Sequence, residues 1–306
     1  MSLSLENSMA ACALCPRRCG VDRTAGQRGV CGMTQELRVA RIAPHMWEEP
    51  PISGTKGSGT VFFTGCSLRC IFCQNRVISR EGLGKAYTEA ELESAIRSLR
   101  DTGVHNINFV TPTHYAPIIA RILERIKPSL GVPVVWNCGG YESVETLKML
   151  DGLVDVYLPD FKYFSSELAR DYSAAPDYPA RTTEAVLEMY RQTGAYTEEN
   201  GLARRGVVIR HLVLPGCRGD SIEVMRHIAN ILPPEDIRVS VMRQYTPDFA
   251  SDAPYKNLHR RVTDFEYTSV LDVADQLGIR GFSQGKDAAT KAYTPDFEGE
   301  MPSDSK

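Results

Sequence analysis

Two patterns of apolar residues alternate along the chain between residues 60 and 245. Short apolar runs predict buried strands, whereas apolar residues spaced at i, i+3, i+4 and i+7 predict helices that present one face to a core. The first helix has both boundary signals, because Thr88 and Glu91 match a capping box and Gly103 stands where a C-terminal cap belongs. The predicted strands are 61–63, 105–110, 132–136, 153–158, 207–214 and 237–242, and the predicted helical segments are 88–103, 118–126, 143–150, 185–190 and 221–232.

The alternation of strands with helices predicts an α/β protein. Units of this kind form parallel strands joined by right-handed crossovers. Six units are too few for a closed eight-stranded barrel, so we expect an open, partial (β/α)6 TIM-like barrel. In parallel barrels the chemistry gathers at the C-terminal ends of the strands, which predicts where a site will lie.

The segments on either side of this region are less regular. Residues 38–59 contain several prolines and glycines without a period, which predicts an ordered but irregular loop. Within it Trp-Glu-Glu-Pro at 47–50 could lie against the cysteine cluster that follows, but by default we interpret it as packing. After residue 244 the sequence predicts a helix at 268–277 and a short strand at 279–282. We therefore divide the chain into a Cys-rich metal-binding extension with its connector (1–58), the barrel (59–244) and a C-terminal extension and tail (245–306).

One pentapeptide, Tyr-Thr-Pro-Asp-Phe, occurs at 245–249 and again at 293–297. Five residues are too few to indicate a repeat architecture. The second copy lies in a polar tail.

Charge and composition disfavour nucleic acid partners and a membrane-spanning segment. The formal net charge of -3 provides no global basic field, so a nucleic acid partner is disfavoured. No apolar run approaches the roughly 18 residues that a membrane span requires. The N-terminus lacks the basic and apolar regions of a secretory signal. Seven of the nine cysteines fall in two tight clusters, which in a reducing compartment indicates metal rather than disulfides and predicts a cytoplasmic protein.

The second cysteine cluster lies directly after the first predicted strand. Cys66, Cys70 and Cys73 have C-x3-C-x2-C spacing, so three thiolates converge from one loop. Iron–sulfur clusters are usually held by four thiolates, and a three-cysteine loop therefore leaves one iron open for another ligand. The alternatives are three unrelated buried thiols, or a zinc knuckle completed by a distant residue, although zinc sites typically pair two C-x2-C knuckles.

The first cluster supplies four thiols within twenty residues, at Cys12, Cys15, Cys19 and Cys31. Four thiolates suit either zinc or an iron–sulfur cluster, and we favour the latter. A set with no missing ligand predicts a second metal centre, independent of the first, with a structural or electron-relay role. The alternative is four free thiols in a disordered arm.

Several motifs together resemble a known family. The chain is similar to the radical SAM (S-adenosylmethionine) superfamily, in the branch of the pyruvate formate-lyase activating enzymes, and most of all to its PflX-like iron–sulfur proteins. The resemblance covers about residues 12–284. Its motifs are Cys-Ala-Leu-Cys-Pro-Arg-Arg-Cys-Gly (12–20), Glu-Pro-Pro-Ile-Ser-Gly (49–54), Cys-Gln-Asn (73–75), Val-Thr-Pro-Thr-His-Tyr (110–115) and Asp-Phe-Lys-Tyr (160–163).

The resemblance implies both cofactors and the chemistry. A [4Fe–4S] cluster on Cys66, Cys70 and Cys73 would bind SAM at its open iron, with a reductant such as flavodoxin or ferredoxin supplying the electron. Reductive cleavage of SAM would give a 5′-deoxyadenosyl radical that abstracts hydrogen from a substrate. The cofactor performs the difficult step, so we assign no catalytic nucleophile or base to the protein.

The resemblance also implies the residues that contact SAM. Asp160 and Lys162 match an Asp-x-Lys pair after the fourth strand, and Arg210 matches an arginine of the fifth. Without that context, Asp160 and Lys162 would be read as a surface ion pair.

The chain departs from the family pattern at two places. Thr111 and Thr113 stand where most members have Gly-Gly-Glu, and we assign the SAM contact to their hydroxyl or carbonyl groups. Asn137 stands where activating enzymes have an aspartate near SAM and a monovalent cation, so the resemblance implies a cofactor contact there, and the alternative is a turn residue. We interpret His114, Cys138 and Cys217 as packing or loop contacts.

Three hypotheses for function remain open. The first is activation of a glycyl-radical enzyme, an oxidoreductase-type reaction on a protein glycine, as the resemblance to lyase-activating enzymes implies. The second is radical modification of a small molecule, a peptide or RNA. The third is a non-enzymatic metal-binding or redox-sensing protein.

Overall fold

The computed structural model describes residues 5–285 and residue 297. Within this part of the chain the strands form one ten-stranded sheet in the order β10-β9-β8-β6-β5-β4-β2-β1-β3, and β7 pairs with β8. The strands are β1 (Leu37–His45), β2 (Ser58–Phe63), β3 (Lys85–Tyr87), β4 (Ile107–Val110), β5 (Val134–Cys138), β6 (Val156–Pro159), β7 (Thr197–Glu199), β8 (Leu202–Leu212), β9 (Arg238–Met242) and β10 (Gly281–Ser283). The helices are α1 (Leu5–Ala10), α2 (Pro50–Ser53), α3 (Arg76–Ser79), α4 (Glu89–Asp101), α5 (Ala116–Leu130), α6 (Val144–Lys148), α7 (Ser166–Ser173), α8 (Tyr178–Thr193), α9 (Arg218–Ile231) and α10 (Asp264–Gln276).

The parallel part of the sheet runs from β2 through β4, β5, β6 and β8 to β9. These are the six predicted strands in chain order, and the described sheet does not close, which confirms the open (β/α)6 architecture. Every residue of β2, β4, β5 and β6 is buried, as expected for a parallel sheet with both faces covered. β10 adds a further parallel strand beside β9.

Local capping residues and the burial of one face stabilise the helices. Thr88 and Glu91 form the predicted capping box of α4. In α5 the residues Ile119, Ile122 and Ile126 are fully buried, and each such side chain contributes about 1.5–3 kcal/mol. Within residues 5–285 and at residue 297, the structure contains no helix with both the length and the apolar character needed to cross a membrane.

The prediction of an irregular loop at 38–59 is wrong. β1 occupies much of it and pairs antiparallel with β2, from Val39 opposite Phe63 to His45 opposite Ser58. The prolines mark element ends, since Pro44 lies near the end of β1 while Pro50 opens α2. Proline is tolerated at the first turn of a helix and at edges of strands, so these signals did not exclude regular structure.

The helix predicted at 268–277 begins earlier in the structure. α10 starts at Asp264 because a second capping box, formed by Thr263 and Glu266, satisfies its first backbone N–H groups. Arg260 donates to both carboxylate oxygens of Glu266, at 2.7 and 2.8 Å. The start of the helix is therefore set by polar contacts rather than by the apolar period.

Candidate cofactor site

The C-terminal ends of the parallel strands open into one cavity of about 200 Å³. This is the edge of the sheet at which parallel barrels carry their chemistry. Most of the predicted site residues meet there. Those that line the cavity are Cys66, Cys70, Cys73, Thr111, Asn137, Asp160, Lys162 and Arg210.

The three-cysteine loop leaves β2 and places its three sulfur atoms at the cavity. Each sulfur accepts a hydrogen bond from the protein, which is the kind of contact that tunes cluster thiolates. The bonds are from the Leu68 backbone N–H to Cys66 (3.4 Å), from Ser173 Oγ to Cys70 (3.0 Å) and from Ser79 Oγ to Cys73 (3.4 Å).

Burial makes the thiolate forms of these residues costly in the bare protein. It raises the pKa of Cys66 to about 12, with smaller contributions from Cys70 and Cys73, and it also raises the pKa of Cys73. Bound metal offsets this cost because metal ligation deprotonates thiols. The convergent sulfurs and their donors therefore fit an iron–sulfur cluster.

Among residues 5–285 and at residue 297, no group of three or more His, Cys, Asp or Glu side chains is arranged to hold a single metal ion, and this applies to both cysteine sets.

A charged network centred on Arg210 lines the same cavity as the three cysteines. The Arg210 guanidinium donates to the Asp160 carboxylate at 2.9 Å, to the side-chain oxygen Oδ1 of Asn137 at 2.6 Å and to the Glu48 carboxyl group at 3.4 Å. Lys162 donates to the other Asp160 oxygen at 2.6 Å. The Asp160, Lys162 and Arg210 side chains are only 14%, 18% and 17% exposed, so the surface-pair interpretation of Asp160 and Lys162 is wrong.

The titration of these groups follows from burial and pairing. Burial acts to raise the pKa of Asp160, but Arg210 and Lys162 outweigh it and hold that pKa below its usual value. For Glu48 the burial effect prevails over Arg210, and its pKa is raised. Burial likewise raises the pKa of Glu49 to about 7. The network thus contains three largely buried carboxyl groups, and its two cations are Arg210 and Lys162.

Glu48 is the site residue that sequence reasoning missed. It reaches the cavity from the connector, and the Asn137 side-chain amide donates to its two oxygens at 3.2 and 3.3 Å. The local signal was the acidic pair in Trp-Glu-Glu-Pro, which we had interpreted as packing. The amide of Asn137 joins a carboxylate to a guanidinium, whereas an aspartate there would face Glu48 with like charge.

The two threonines assigned to SAM lie in different places. Thr111 lines the cavity with a φ of +56°, and its backbone N–H donates to the Asn137 carbonyl at 2.8 Å. Thr113 does not line the cavity, because its hydroxyl donates to the buried carboxyl of Glu142 at 2.6 Å. A SAM contact from either threonine stays a prediction.

The four N-terminal cysteines also come together. Burial raises the pKa of Cys15, to which Cys31 and Cys12 add, and it also raises the pKa of Cys31, to which Cys12 and Cys19 add. Each sulfur again accepts a hydrogen bond. The donors are Arg23 Nη1 to Cys12 (3.9 Å), the Val30 backbone N–H to Cys19 (3.4 Å), and the backbones of Arg17 and Met33 to Cys15 and Cys31.

Three residues interpreted as packing are placed as follows. His114 is buried, with Nε2 2.8 Å from the Thr64 carbonyl. Cys138 is buried at the end of β5 and borders the cavity. Cys217 lies outside the cavity lining, with its sulfur 3.9 Å from the Tyr172 hydroxyl.

The first copy of the repeated pentapeptide borders the same cavity, through Tyr245, Thr246 and Phe249. In the second copy, residues 293–296 lie outside the described residues. Phe297 packs edge-to-face on Phe62, with ring centroids 5.4 Å apart.

The sequence matches one family model and is similar to a known protein. The family model of the radical SAM superfamily matches residues 60–229. An uncharacterized protein of Methanocaldococcus jannaschii is 29% identical over 288 residues, covering 90% of this chain and 77% of that protein.

Two solved structures share the fold. A radical SAM methyltransferase from Sphaerobacter thermophilus has a TM-score of 0.51 and 17% identity, with 74% of this chain and 65% of that one covered. SuiB from Streptococcus suis, bound to its precursor peptide SuiA, has a TM-score of 0.52 and 16% identity over 80% of this chain and 48% of that one. This chain thus spans less than two thirds of either protein. Because the family model covers more than half of the 306 residues, from β2 into α9, the chain belongs to the radical SAM superfamily.

Proposed function

We propose that the protein cleaves SAM reductively, with a [4Fe–4S] cluster on Cys66, Cys70 and Cys73. The observation that carries this proposal is that the hydrogen-bonded three-cysteine loop and the Arg210 network line one cavity. Membership of the family implies the cluster and SAM. When bound, the reduced cluster supplies the electron that splits SAM into methionine and a 5′-deoxyadenosyl radical.

The charged wall of the cavity has groups for both ends of the methionine part of SAM. Its carboxylate suits Arg210 and Lys162, which carry positive charge at the cavity. Its ammonium suits the carboxyl groups of Glu48 and Asp160, which line the same cavity. Charged hydrogen bonds of this kind contribute about 1.5–3 kcal/mol each.

The test of this function is SAM cleavage by the wild-type protein. Anaerobically purified protein, reduced with dithionite or by a flavodoxin or ferredoxin, is expected to convert SAM to 5′-deoxyadenosine and methionine. Chromatography measures both products, and protein kept oxidised is the control. Iron-loaded, reduced protein that leaves SAM intact would contradict the proposal and favour a metal-binding or redox-sensing role.

We further propose a polypeptide as the hydrogen donor. The cavity opens to the surface beside Trp47, which is 59% exposed, and is bordered by the aromatic residues Phe72, Tyr245 and Phe249. An exposed tryptophan beside a cavity with aromatic residues suits contact with a peptide loop, and SuiB, which shares the fold, is bound to a precursor peptide. Activation of a glycyl-radical enzyme is one reaction of this class, and modification of a peptide is another.

The hydrogen donor can be tested directly. Reduced protein and SAM are incubated with candidate glycyl-radical enzymes of the same organism, and EPR is expected to reveal a glycyl doublet. A small metabolite that stimulates 5′-deoxyadenosine formation, with no doublet from any candidate, would contradict the polypeptide proposal.

The N-terminal cysteines are proposed to hold a second centre, with an iron–sulfur cluster favoured over zinc. The hydrogen bonds to all four sulfurs support metal ligation. In a variant with Cys66, Cys70 and Cys73 replaced by alanine, we expect iron and sulfide to remain at this site. Zinc at about one per chain without iron would refute the cluster, and absence of any metal would refute the site.

A further inference from the structure

The N-terminal cysteine segment touches the three-cysteine loop through one side chain. Arg17 lies between Cys15 and Cys19, and its guanidinium reaches across 50 residues of sequence to the carbonyl of Ser67 at 2.9 Å. Ser67 lies between Cys66 and Cys70 of the other cluster. Arg17, from the N-terminal cysteine segment, therefore donates a hydrogen bond to the backbone of the three-cysteine loop.

The same guanidinium also caps the end of α7. It donates to the carbonyl of Ser173 at 2.7 Å and to that of Ala174. The last carbonyls of a helix lack intrahelical partners, and an arginine there satisfies them. Ser173 in turn donates its hydroxyl to the Cys70 sulfur at 3.0 Å. Arg17 thus holds both the backbone of the loop and the residue that hydrogen-bonds one of its sulfurs.

A second contact joins the two cysteine segments. Gly65, directly before Cys66, has a φ of +91°, and a Cβ on it would lie 2.8 Å from the carbonyl oxygen of Cys31. The backbones of the two segments are therefore in close contact at this point. Glycine is needed both for the positive φ and for this approach.

Little regular structure holds Arg17 in place. Within the described chain, residues 11–36 form turns and bends, with no helix or strand between α1 and β1. The carbonyl of Leu14 accepts hydrogen bonds from Ser143 at 3.0 Å and Thr146 at 2.8 Å, and the buried Arg23 guanidinium donates to the carbonyl of His114 at 2.6 Å, so two points of the segment are anchored to the barrel. Metal bound by the four cysteines would cross-link the rest, because structural metal sites supply folding energy to segments with small cores.

We propose that the metal centre at Cys12, Cys15, Cys19 and Cys31 organises the SAM-cleaving site through Arg17, which acts as a positioning residue for the three-cysteine loop. Displacement of Arg17 would remove the donor to the loop backbone at Ser67 and to the carbonyl of Ser173 at the end of α7. This inference rests on the proposed function, since it concerns the cluster that would bind SAM.

The test compares Arg17→Ala with Arg18→Ala in the full chain. Arg18 is the adjacent arginine, but its side chain is 62% exposed and its ion pair with Glu145 is 3.8 Å long, so it is a matched control. The readout is the EPR signal of the reduced protein that changes when SAM is added, since this response belongs to the centre with the open iron. We expect Arg17→Ala to lose this response by on the order of tenfold or more, and Arg18→Ala to retain it.

Three other results decide the proposal. A wild-type protein without any SAM-dependent signal would overturn the proposed function itself. A wild-type response that Arg17→Ala reproduces unchanged would overturn this inference alone. Should Arg17→Ala fail to fold by circular dichroism, Arg17→Lys serves instead, because lysine keeps the charge but lacks the planar fork that reaches several carbonyls. A weaker or altered response in Arg17→Lys supports the proposal, and an unchanged one refutes it.

Discussion

Replacing Cys66, Cys70 and Cys73 together by alanine is expected to abolish SAM cleavage. The three sulfurs are the thiols proposed to hold the cluster, and their removal also takes away the sulfur acceptors of the Ser173 and Ser79 hydroxyls. Because the electron for SAM cleavage would come from the cluster, we expect loss of turnover rather than a reduced rate. Formation of 5′-deoxyadenosine from SAM measures the effect.

A matched control for this variant is Cys217→Ala. It removes one half-buried thiol that lies outside the cavity lining, so SAM cleavage should continue. If the triple variant still forms 5′-deoxyadenosine, the assignment of these three cysteines to the cluster is wrong. If Cys217→Ala is equally inactive, loss of activity in the triple variant reflects a general effect of thiol removal.

Asp160→Ala is expected to weaken SAM binding by roughly tenfold or more and to lower the free energy of unfolding by about 3–5 kcal/mol. Its carboxylate is the common partner of Arg210 and Lys162, so the truncation leaves two buried cations without their main counter-charge. Equilibrium binding of SAM to the iron-loaded protein measures the first effect, and denaturant unfolding measures the second.

The control for Asp160→Ala lies at the other end of the same strand. Asp155 pairs with Lys127 at 2.8 Å directly before β6, away from the cavity. Asp155→Ala should lower stability while leaving SAM affinity unchanged. Equal SAM affinity in Asp160→Ala, Lys162→Ala and the wild type would show that the pair does not contact SAM.

The connector at 38–59 is a region where the local sequence pattern predicted the wrong structure. Prolines and glycines at 38–59 indicated a loop, yet β1 forms there because its backbone pairs with β2 and its residues Leu37 and Val39 enter the core. Pairing with another strand overrides weak local preference, since strand formation depends on neighbours across the sheet. The same wrong prediction is the reason that Glu48 was not predicted as a site residue, because a loop has no periodic pattern that indicates which side chains point towards the cavity.

The sequence by itself determined the parallel strands, their order along the chain and the two cysteine clusters. These features depend on spacing within a few residues: an apolar run long enough for a strand, a capping box, or thiols close enough to share one centre. Strand ends that carry Cys66, Asn137, Asp160 and Arg210 could be placed at one edge, because parallel topology brings those ends together.

Only the tertiary structure decided which charges meet and what joins the two cysteine clusters. Glu48 lies 89 residues from Asn137 and 162 from Arg210 in sequence, and Arg17 lies 50 from Ser67. Local periodicity carries no information about partners at such separations. Their contact depends on where the antiparallel β1–β2 pair turns the connector back over the cavity, and on which carbonyls the end of α7 leaves without a donor.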